Sequence, residues 1–401
     1  MPSLISTEQN RLAIPTASAG AGTLRVLHLE MGRSYGGIQR MLVCLAENRE
    51  PSAPLEHVFA LCFQEQAARE LTSRGAMVRD LGPARLRSPV NIWRANRRLR
   101  AWLVEESFDV VICHGSPALA MFGFTVRRSG VPFVYWMHND VKVRNKNVAE
   151  FVASRQQPDL VIANSEFTAT SLPLHFARTP RHEVIPCPVT HSTRPAMTRD
   201  ERAQIRAEFD APPDAVVIAL AGRPEPWKGH ALLLEALGRL RDLPAWQCWI
   251  IGGPFDGEQQ AFLEELRGLA REKSIGQRVR FLGQRSDVPE LLAAADLFCH
   301  PNLTPEPFGI VFIEALYAGL PVVSVNHGGA REIVDDTCGR LVEPNDPAAL
   351  AAALQHLVTD ADWRATLAQN APVRGLAISD PAHILPRVYR ELNVLKQSYG
   401  S

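Results

Sequence analysis

Glu306 and Glu314 stand eight positions apart in the run TPEPFGIVFIEALYAGLPVV, residues 304–323. The first lies in a proline-bearing loop. Pro307-Phe308-Gly309 then forms a small-residue turn into an apolar helix expected at Ile310–Tyr317. A helix start carries unpaired N–H groups and partial positive charge, so it is a natural seat for phosphate. Glu314 falls about one turn inside the helix, roughly 6 Å along its axis at ~1.5 Å per residue. One carboxylate then reaches hydroxyls on one side of a bound diphosphate, and the other reaches hydroxyls on the far side. A nucleoside diphosphate sugar has that shape. Glutamates at this spacing also occur as plain loop and first-turn residues that favour the helix dipole.

Upstream, Val216–Ala221 (VVIALA) reads as a buried parallel strand ending in Gly222-Arg223. The loop Pro224–Trp227 follows, then Lys228-Gly229 and a leucine-rich helix over Ala231–Leu240. Ligands of an open parallel sheet sit at the carboxyl ends of its strands, where Arg223 and Lys228 fall. Two cations there would bind a diphosphate and stabilise the charge that grows on it as it leaves. Taken singly, each also fits an ordinary solvated loop cation. Their company with Glu306 and Glu314 singles them out.

Three more strand ends carry candidates. In MGRSYGGIQRML, Gly36-Gly37 opens a helix and lets backbone amides approach a ligand, or simply makes a tight strand-to-helix turn. His138 ends the strand VYWM, a good address beside a cleft, although a lone histidine is more often structural. Asn164-Ser165-Glu166 follows a strand too; N-capping of the next helix by Ser165 explains it nearly as well as a role in shaping a cleft.

The elements that must position these residues alternate between short apolar strands and longer amphipathic stretches. Strands are expected at Leu24–Leu29, Val58–Phe63, Met77–Leu81, Val110–Cys113, Phe133–Trp136 and Leu160–Ala163. A second set is expected at Val216–Ala221, Trp249–Ile251, Val279–Leu282, Leu297–Cys299 and Val322–Val325. Such alternation predicts α/β architecture, with parallel sheets covered by helices on both faces. The polar segment His191–Arg202 is the best linker between two sheets, and the polar, small-residue-rich Met1–Gly22 reads as a disordered tail.

With GRPEPWKG (222–229) and the Glu306/Glu314 pair in view, the chain resembles the retaining glycosyltransferases of the GT-B fold, family 4 in particular. The resemblance runs from about Leu24 to the C-terminal helix and is strongest in the second half. It implies two Rossmann-like, doubly wound parallel-sheet domains facing a cleft. Residues 23–195 would form the acceptor side and 196–378 the donor side, with 379–401 returning to the first domain as a helix over Ile384–Lys396. By the same resemblance Glu314 binds ribose hydroxyls, Glu306 lies by the donor sugar, and Arg223 and Lys228 hold the diphosphate. Backbone amides of Phe308, Gly309, Ile310 and Val311 complete the cradle. Gly36 and Gly37 lie near the phosphates and sugar, and His138 contacts the sugar. The implied donor is a UDP-hexose, with GDP-mannose next, and the base is read by backbone atoms near Gly283–Val288. The implied acceptor is a hydroxyl of a glycan or glycolipid, in polysaccharide or lipopolysaccharide biosynthesis. One departure stands out: Val184-Ile185-Pro186-Cys187-Pro188-Val189 replaces the family's usual Asn-Gly turn after Ile-Pro.

Breaking the bond from anomeric carbon to diphosphate puts positive charge on the sugar and negative charge on the leaving group. Arg223, Lys228 and the helix start would serve the latter, so neither cofactor nor metal is expected. The literal Asp360-Ala361-Asp362 reads as a helix start. No enzymic nucleophile stands out, so front-side attack by the acceptor hydroxyl is expected, the leaving phosphate taking its proton. A nucleotide-sugar epimerase and an inactive nucleotide-sugar-binding scaffold use the same architecture and stay open.

Composition sets the outer limits. The 401 residues suffice for two or three domains, and 46% hydrophobic residues for sizeable cores. Lys plus Arg balances Asp plus Glu at 43 each, so nucleic acid is not an expected partner. The seven scattered cysteines show neither CxxC nor ligand spacing and read as buried thiols of a reducing compartment. Neither a span of ~20 apolar residues nor a signal peptide is present, so a cytoplasmic place is expected. Arg85-Leu86-Arg87 to Trp102 forms a basic amphipathic stretch, with Ile92, Ala95, Leu99, Trp102 and Leu103 on one face. It either packs on its own sheet with a solvated arginine face or touches the inner membrane surface as a peripheral contact.

Overall fold

The computed structural model describes residues 22–32, 36–48, 50–85, 87–141, 148–191 and 197–400. Most of the expected tail, residues 33–35 of the glycine loop, Leu86 of the basic stretch and residues 192–196 of the expected linker lie outside them.

Two parallel sheets form the frame. The first contains β1 (Leu24–Glu30), β2 (Leu55–Leu61), β3 (Met77–Asp80), β4 (Val110–His114), β5 (Phe133–Met137), β6 (Leu160–Ala163) and β7 (His182–Val184), in the order β3-β2-β1-β4-β5-β6-β7. The second contains β8 (Val216–Ala221), β9 (Trp246–Ile251), β10 (Val279–Gly283), β11 (Leu297–His300), β12 (Val322–Val325) and β13 (Gly339–Val342), in the order β10-β9-β8-β11-β12-β13. Every residue of β4, β5, β6, β8, β9, β11 and β12 is buried. Helices cover both faces of such strands, which is why they read as unbroken apolar runs rather than as alternating ones. The order reverses beside β1 and beside β8, and the carboxyl ends at such reversals open the crevices where ligands bind.

Sequence pattern missed β7 and β13. Both lie at sheet edges and carry polar or half-exposed residues, such as Glu183 and Arg340, where an inner strand carries Val or Ile. The helices at Gly37–Glu47 and Ile310–Tyr317 start where their glycines predict. Asp360 caps the helix Ala361–Ser379, its Oδ1 accepting from the Trp363 N–H at 2.9 Å. The basic stretch is the helix Pro89–Glu105, which buries Ala95, Leu99 and Leu103.

Helix Ala361–Ser379 packs on the second sheet's side: Arg374 donates to the carbonyls of Ile333 at 2.9 Å and Glu332 at 2.7 Å. The next helix, Pro381–Gly400, lies against the first. Arg387 donates to the Val184 carbonyl at 2.8 Å, Tyr389 to that of Gly22 at 2.6 Å, and Lys396 pairs with Asp109 at 2.7 Å. One apolar cluster joins the two halves through Ile185, Phe308, Ile384 and Leu385. All seven cysteines are buried and unpaired. Among the described residues, no helix is long and apolar enough to cross a membrane.

Burial of histidines builds in a pH dependence. Lost hydration lowers His138 to about 3, His175 to about 4 and His230 to about 4. Each stays neutral in the folded chain but takes a proton near pH ~6.5 when unfolded. Its stabilising contribution is therefore full above pH ~6.5 and is lost as pH falls toward each folded value. One such ring adds a slope of up to about 1.4 kcal/mol per pH unit. The urea midpoint is expected to drop steeply between pH 6.5 and 4.5, less so in His175→Gln. A midpoint flat across that window would show that these rings are hydrated.

Candidate functional site

At the carboxyl end of β8 the chain makes a short 3-10 turn, Pro226–Lys228, and leaves it through Gly229 at φ 75°. A Cβ at Gly229 would lie 1.8 Å from the Pro301 carbonyl oxygen, so only glycine allows this approach. The turn lays Lys228 Nζ over the Trp227 ring, 4.1 Å from its centroid, and 3.8 Å from Glu306 Oε2. Glu306 Oε2 also accepts from Asn302 Nδ2 at 2.9 Å. The Glu306 carbonyl accepts from Gly329 N–H at 2.7 Å, and neighbouring Gly328, at φ 63°, leaves only 2.6 Å between an added Cβ and that oxygen. Two motifs distant in sequence therefore meet, with cation and carboxylate side by side and both largely shielded from water.

Arg223 is placed differently. Its side chain is 41% exposed and pairs with Glu225 at 3.2 Å. Glu225 is further held by Trp227 Nε1 at 2.7 Å and Gln259 at 3.1 Å. Arg223 thus borders the same loop, but in this structure its partner is Glu225 rather than Glu306.

Phe308 is buried, and Gly309 turns the chain into helix Ile310–Tyr317. The N–H groups of Ile310 and Val311, as first residues of the helix, have no carbonyl a turn earlier within it. Glu314 lies on this helix and forms an ion pair with Arg40. Arg40 belongs to helix Gly37–Glu47 of the first half, so the pair crosses from one sheet to the other. Gly37 sits close by: a Cβ there would lie 3.5 Å from Ile310 Cδ1. Gly36 N–H donates to Gln39 Oε1 at 2.9 Å, and Gln39 Nε2 donates to Glu30 at 3.0 Å. Burial pushes the Glu30 carboxyl up, while the Gly32 N–H and Gln39 partly offset this by donating to it.

The first half also reaches the Pro307 turn. Ser165 Oγ donates to the Pro307 carbonyl at 2.5 Å while capping its own helix by accepting from Thr168 N–H at 2.9 Å. Asn164 Nδ2 donates to the His138 carbonyl at 3.2 Å, which ties His138 to the same junction. The N–H groups of Glu166 and Phe167 donate to the Glu332 carboxylate at 2.9 and 2.8 Å. A separate cavity of about 420 Å³ opens behind Phe308, lined by Glu332, Arg374, His383 and Arg387; Lys228, Glu306 and Glu314 lie outside its wall.

His138 has a second set of contacts. Its Nε2 is 3.0 Å from His114 Nδ1, His114 Nε2 is 2.9 Å from His28 Nδ1, and His28 Nε2 is 2.8 Å from His57 Nδ1. Sequence reading missed Glu30, Arg40, Asn302, Glu332 and the other three rings. Of these, His114 and the buried Glu30 close strands β4 and β1, so attention to every strand end would have found both.

Two family models match this chain in succession. "Glycosyltransferase Family 4" matches residues 35–193, and "Glycosyl transferases group 1" matches residues 201–374. The chain belongs to the family 4 glycosyltransferases. Their two-sheet GT-B architecture is also that of its structural neighbours. The crystal structure of Anabaena Alr3699/HepE in complex with UDP-glucose superposes with a TM-score of 0.80 at 25% identity, over 92% of this chain and 100% of that one. Sucrose-phosphate synthase from Thermosynechococcus elongatus shares the fold at a TM-score of 0.75 and 20% identity, over 92% and 99% of the two chains. Among curated relatives, the D-inositol 3-phosphate glycosyltransferase of Corynebacterium kroppenstedtii is 32% identical over 60% of this chain and 57% of its own length. That of Streptomyces coelicolor is 32% identical over 64% of this chain and 62% of its own. The chain thus spans less than two thirds of these family 4 relatives.

Proposed function

We propose that this protein transfers a hexose from a nucleoside diphosphate sugar to a hydroxyl of a glycan or glycolipid acceptor, with retention of anomeric configuration. The carrying observation is Lys228 at 3.8 Å from Glu306, beside the start of the helix whose Glu314 is met by Arg40 from the opposite sheet. Lys228, with Arg223 and the N–H groups of Phe308–Val311, takes the charge of the departing diphosphate. Glu306 and His138 orient the sugar, Glu314 holds ribose, and Gly36 and Gly37 border phosphates and sugar. The acceptor hydroxyl attacks from the face the phosphate leaves, and that phosphate takes the proton. Protein cations then do the work of a metal, so activity is expected to persist in EDTA.

A UDP-sugar is the first choice of donor, supported by the UDP-glucose bound to the Anabaena neighbour, with GDP-mannose second. The names of the curated relatives, D-inositol 3-phosphate glycosyltransferases, support glycosyl transfer to a hydroxyl-bearing acceptor. In this reading residues 23–195 form the acceptor-side domain, 196–378 the donor domain, and 379–401 the returning helix. The setting is cytoplasmic, with peripheral contact to the inner membrane face. Exposed Val90, Trp93 and Val104 beside Arg94, Arg97 and Arg100 support that contact.

Thermal unfolding with UDP, GDP and ADP, with and without magnesium, tests the proposal. A shift selective for UDP, independent of magnesium and lost in Glu314→Ala, is expected; at a ligand excess of ~100 Kd the stabilisation is about 2.7 kcal/mol. No shift with any nucleotide at millimolar concentration would overturn the nucleotide-sugar reading. Interconversion of free nucleotide sugars without transfer would point to an epimerase, and nucleotide binding without turnover to a scaffold.

A further inference from the structure

The rings of His57, His28, His114 and His138 belong to four neighbouring strands or strand ends, β2, β1, β4 and β5. Register explains how they meet. His57 pairs with Val26, two residues before His28; His28 pairs with Ile112, two before His114; His114 pairs with Trp136, two before His138. Side chains two apart share a face of a strand, so each ring lies on the same face and one step nearer the carboxyl edge. Ring centroids are 5.0, 5.2 and 5.3 Å apart in turn. The chain of rings climbs diagonally across the sheet and ends at the strand end where His138 stands. The rings are strung nitrogen to nitrogen rather than converging, and among the described residues no His, Cys, Asp or Glu cluster is arranged to hold a metal ion.

A neutral imidazole has one N–H and one lone pair. His28 and His114 each use both nitrogens within the chain. Each must therefore donate on one side and accept on the other, and the sense chosen by one ring is imposed on the next. With every N–H pointing toward His138, His138 accepts at Nε2 and carries its proton on Nδ1. With every N–H pointing the other way, His138 donates from Nε2 and Nδ1 is an acceptor. A mixed sense would set two N–H groups, or two lone pairs, against each other in a buried site, which is costly. Burial keeps the interior rings neutral, as this scheme needs. Stacking of Phe59 on His28, at 5.1 Å, and of Trp136 on His114, at 5.7 Å, holds the planes in place.

We propose that His28 and His114 are positioning residues which, with His57 at the far end, hold His138 in a single tautomer and so decide whether Nδ1 donates or accepts. The consequence for sugar binding rests on the place given to His138 above: a hydroxyl meets either a donor or an acceptor there, in a sense shared with rings up to three strands away. The relay itself does not depend on that place.

The test uses the full chain with ring-15N-labelled histidine and long-range proton–nitrogen correlations, which report the tautomer of each ring. In the wild type, His28, His114 and His138 are expected as single neutral tautomers of one shared sense. In His114→Phe, His138 is expected to average between tautomers while His175, outside the relay, is unchanged. Nucleotide release from UDP-glucose or GDP-mannose, whichever the wild type turns over, should fall about tenfold in kcat with donor KM within twofold. His114→Gln, which can donate and accept, should recover most of it. If His114→Phe does not fold, His28→Phe carries the same test one ring further back. Averaged rings in the wild type, or a His138 tautomer indifferent to His114 and His28, would overturn the relay. Full turnover by His138→Ala alongside locked rings would instead overturn the sugar-site role and leave the relay standing.

Discussion

Lys228→Ala lowers kcat by ~10²–10³-fold with a much smaller change in donor KM. The expectation follows from where the ammonium stands. It is largely shielded from water, braced on the Trp227 ring and 3.8 Å from Glu306, beside the start of helix Ile310–Tyr317. In the proposed ground state the two negative charges of the diphosphate would already be partly met by helix N–H groups. The charge that develops as the glycosidic bond breaks is met chiefly by a preformed cation, and only interactions that strengthen in the transition state raise kcat. Lys228→Arg should recover little, because a planar fork cannot occupy the place of a compact ammonium between Trp227 and Glu306. Arg223→Ala should cost less, since Arg223 is more exposed and already paired with Glu225. Steady-state nucleotide release, with circular dichroism to confirm folding, decides the matter. A kcat within threefold of wild type would remove Lys228 from the site.

Glu314→Ala is expected to weaken nucleotide binding by ~10²-fold: in the proposed role, two ribose hydroxyls would lose a charged acceptor worth about 3 kcal/mol together. The structure adds a refinement. Glu314 is engaged by Arg40 from the other sheet's side, so a ribose bound as proposed would compete with a guanidinium for the carboxylate. Arg40→Ala removes that competitor and should leave UDP affinity unchanged or tighter. A cycle with 2′-deoxy-UDP completes the argument: the deoxy penalty should be large in the wild type and small in Glu314→Ala. Calorimetric titration measures all four terms. Equal penalties in both proteins would show that Glu314 does not touch the ribose. Equal losses in Glu314→Ala and Arg40→Ala would assign the binding to the pair instead.

Much of this was legible from residues alone, for a local reason. A run such as VVIALA is apolar on both faces because helices cover both, and that signal needs no partner to be read. The start of helix Ile310–Tyr317 is announced by Gly309, and the helix after Asp360 by its own cap; both depend on neighbours a few positions away. Edge strands β7 and β13 escaped because an edge need not be apolar.

The partners of the candidate residues are another matter. Nothing near Glu314 in sequence predicts Arg40, nothing near Ser165 predicts the Pro307 carbonyl, and nothing near His138 predicts a file of imidazoles ending at His57. Those contacts depend on strand order and on a register that moves each histidine two residues along from one strand to the next. Sequence determined which residues could do chemistry and which strands would carry them, since backbone propensity and burial act locally. Tertiary structure alone decided which of them meet, since hydrogen bonds and ion pairs act over about 3–4 Å, and only the folded sheets bring distant residues that close.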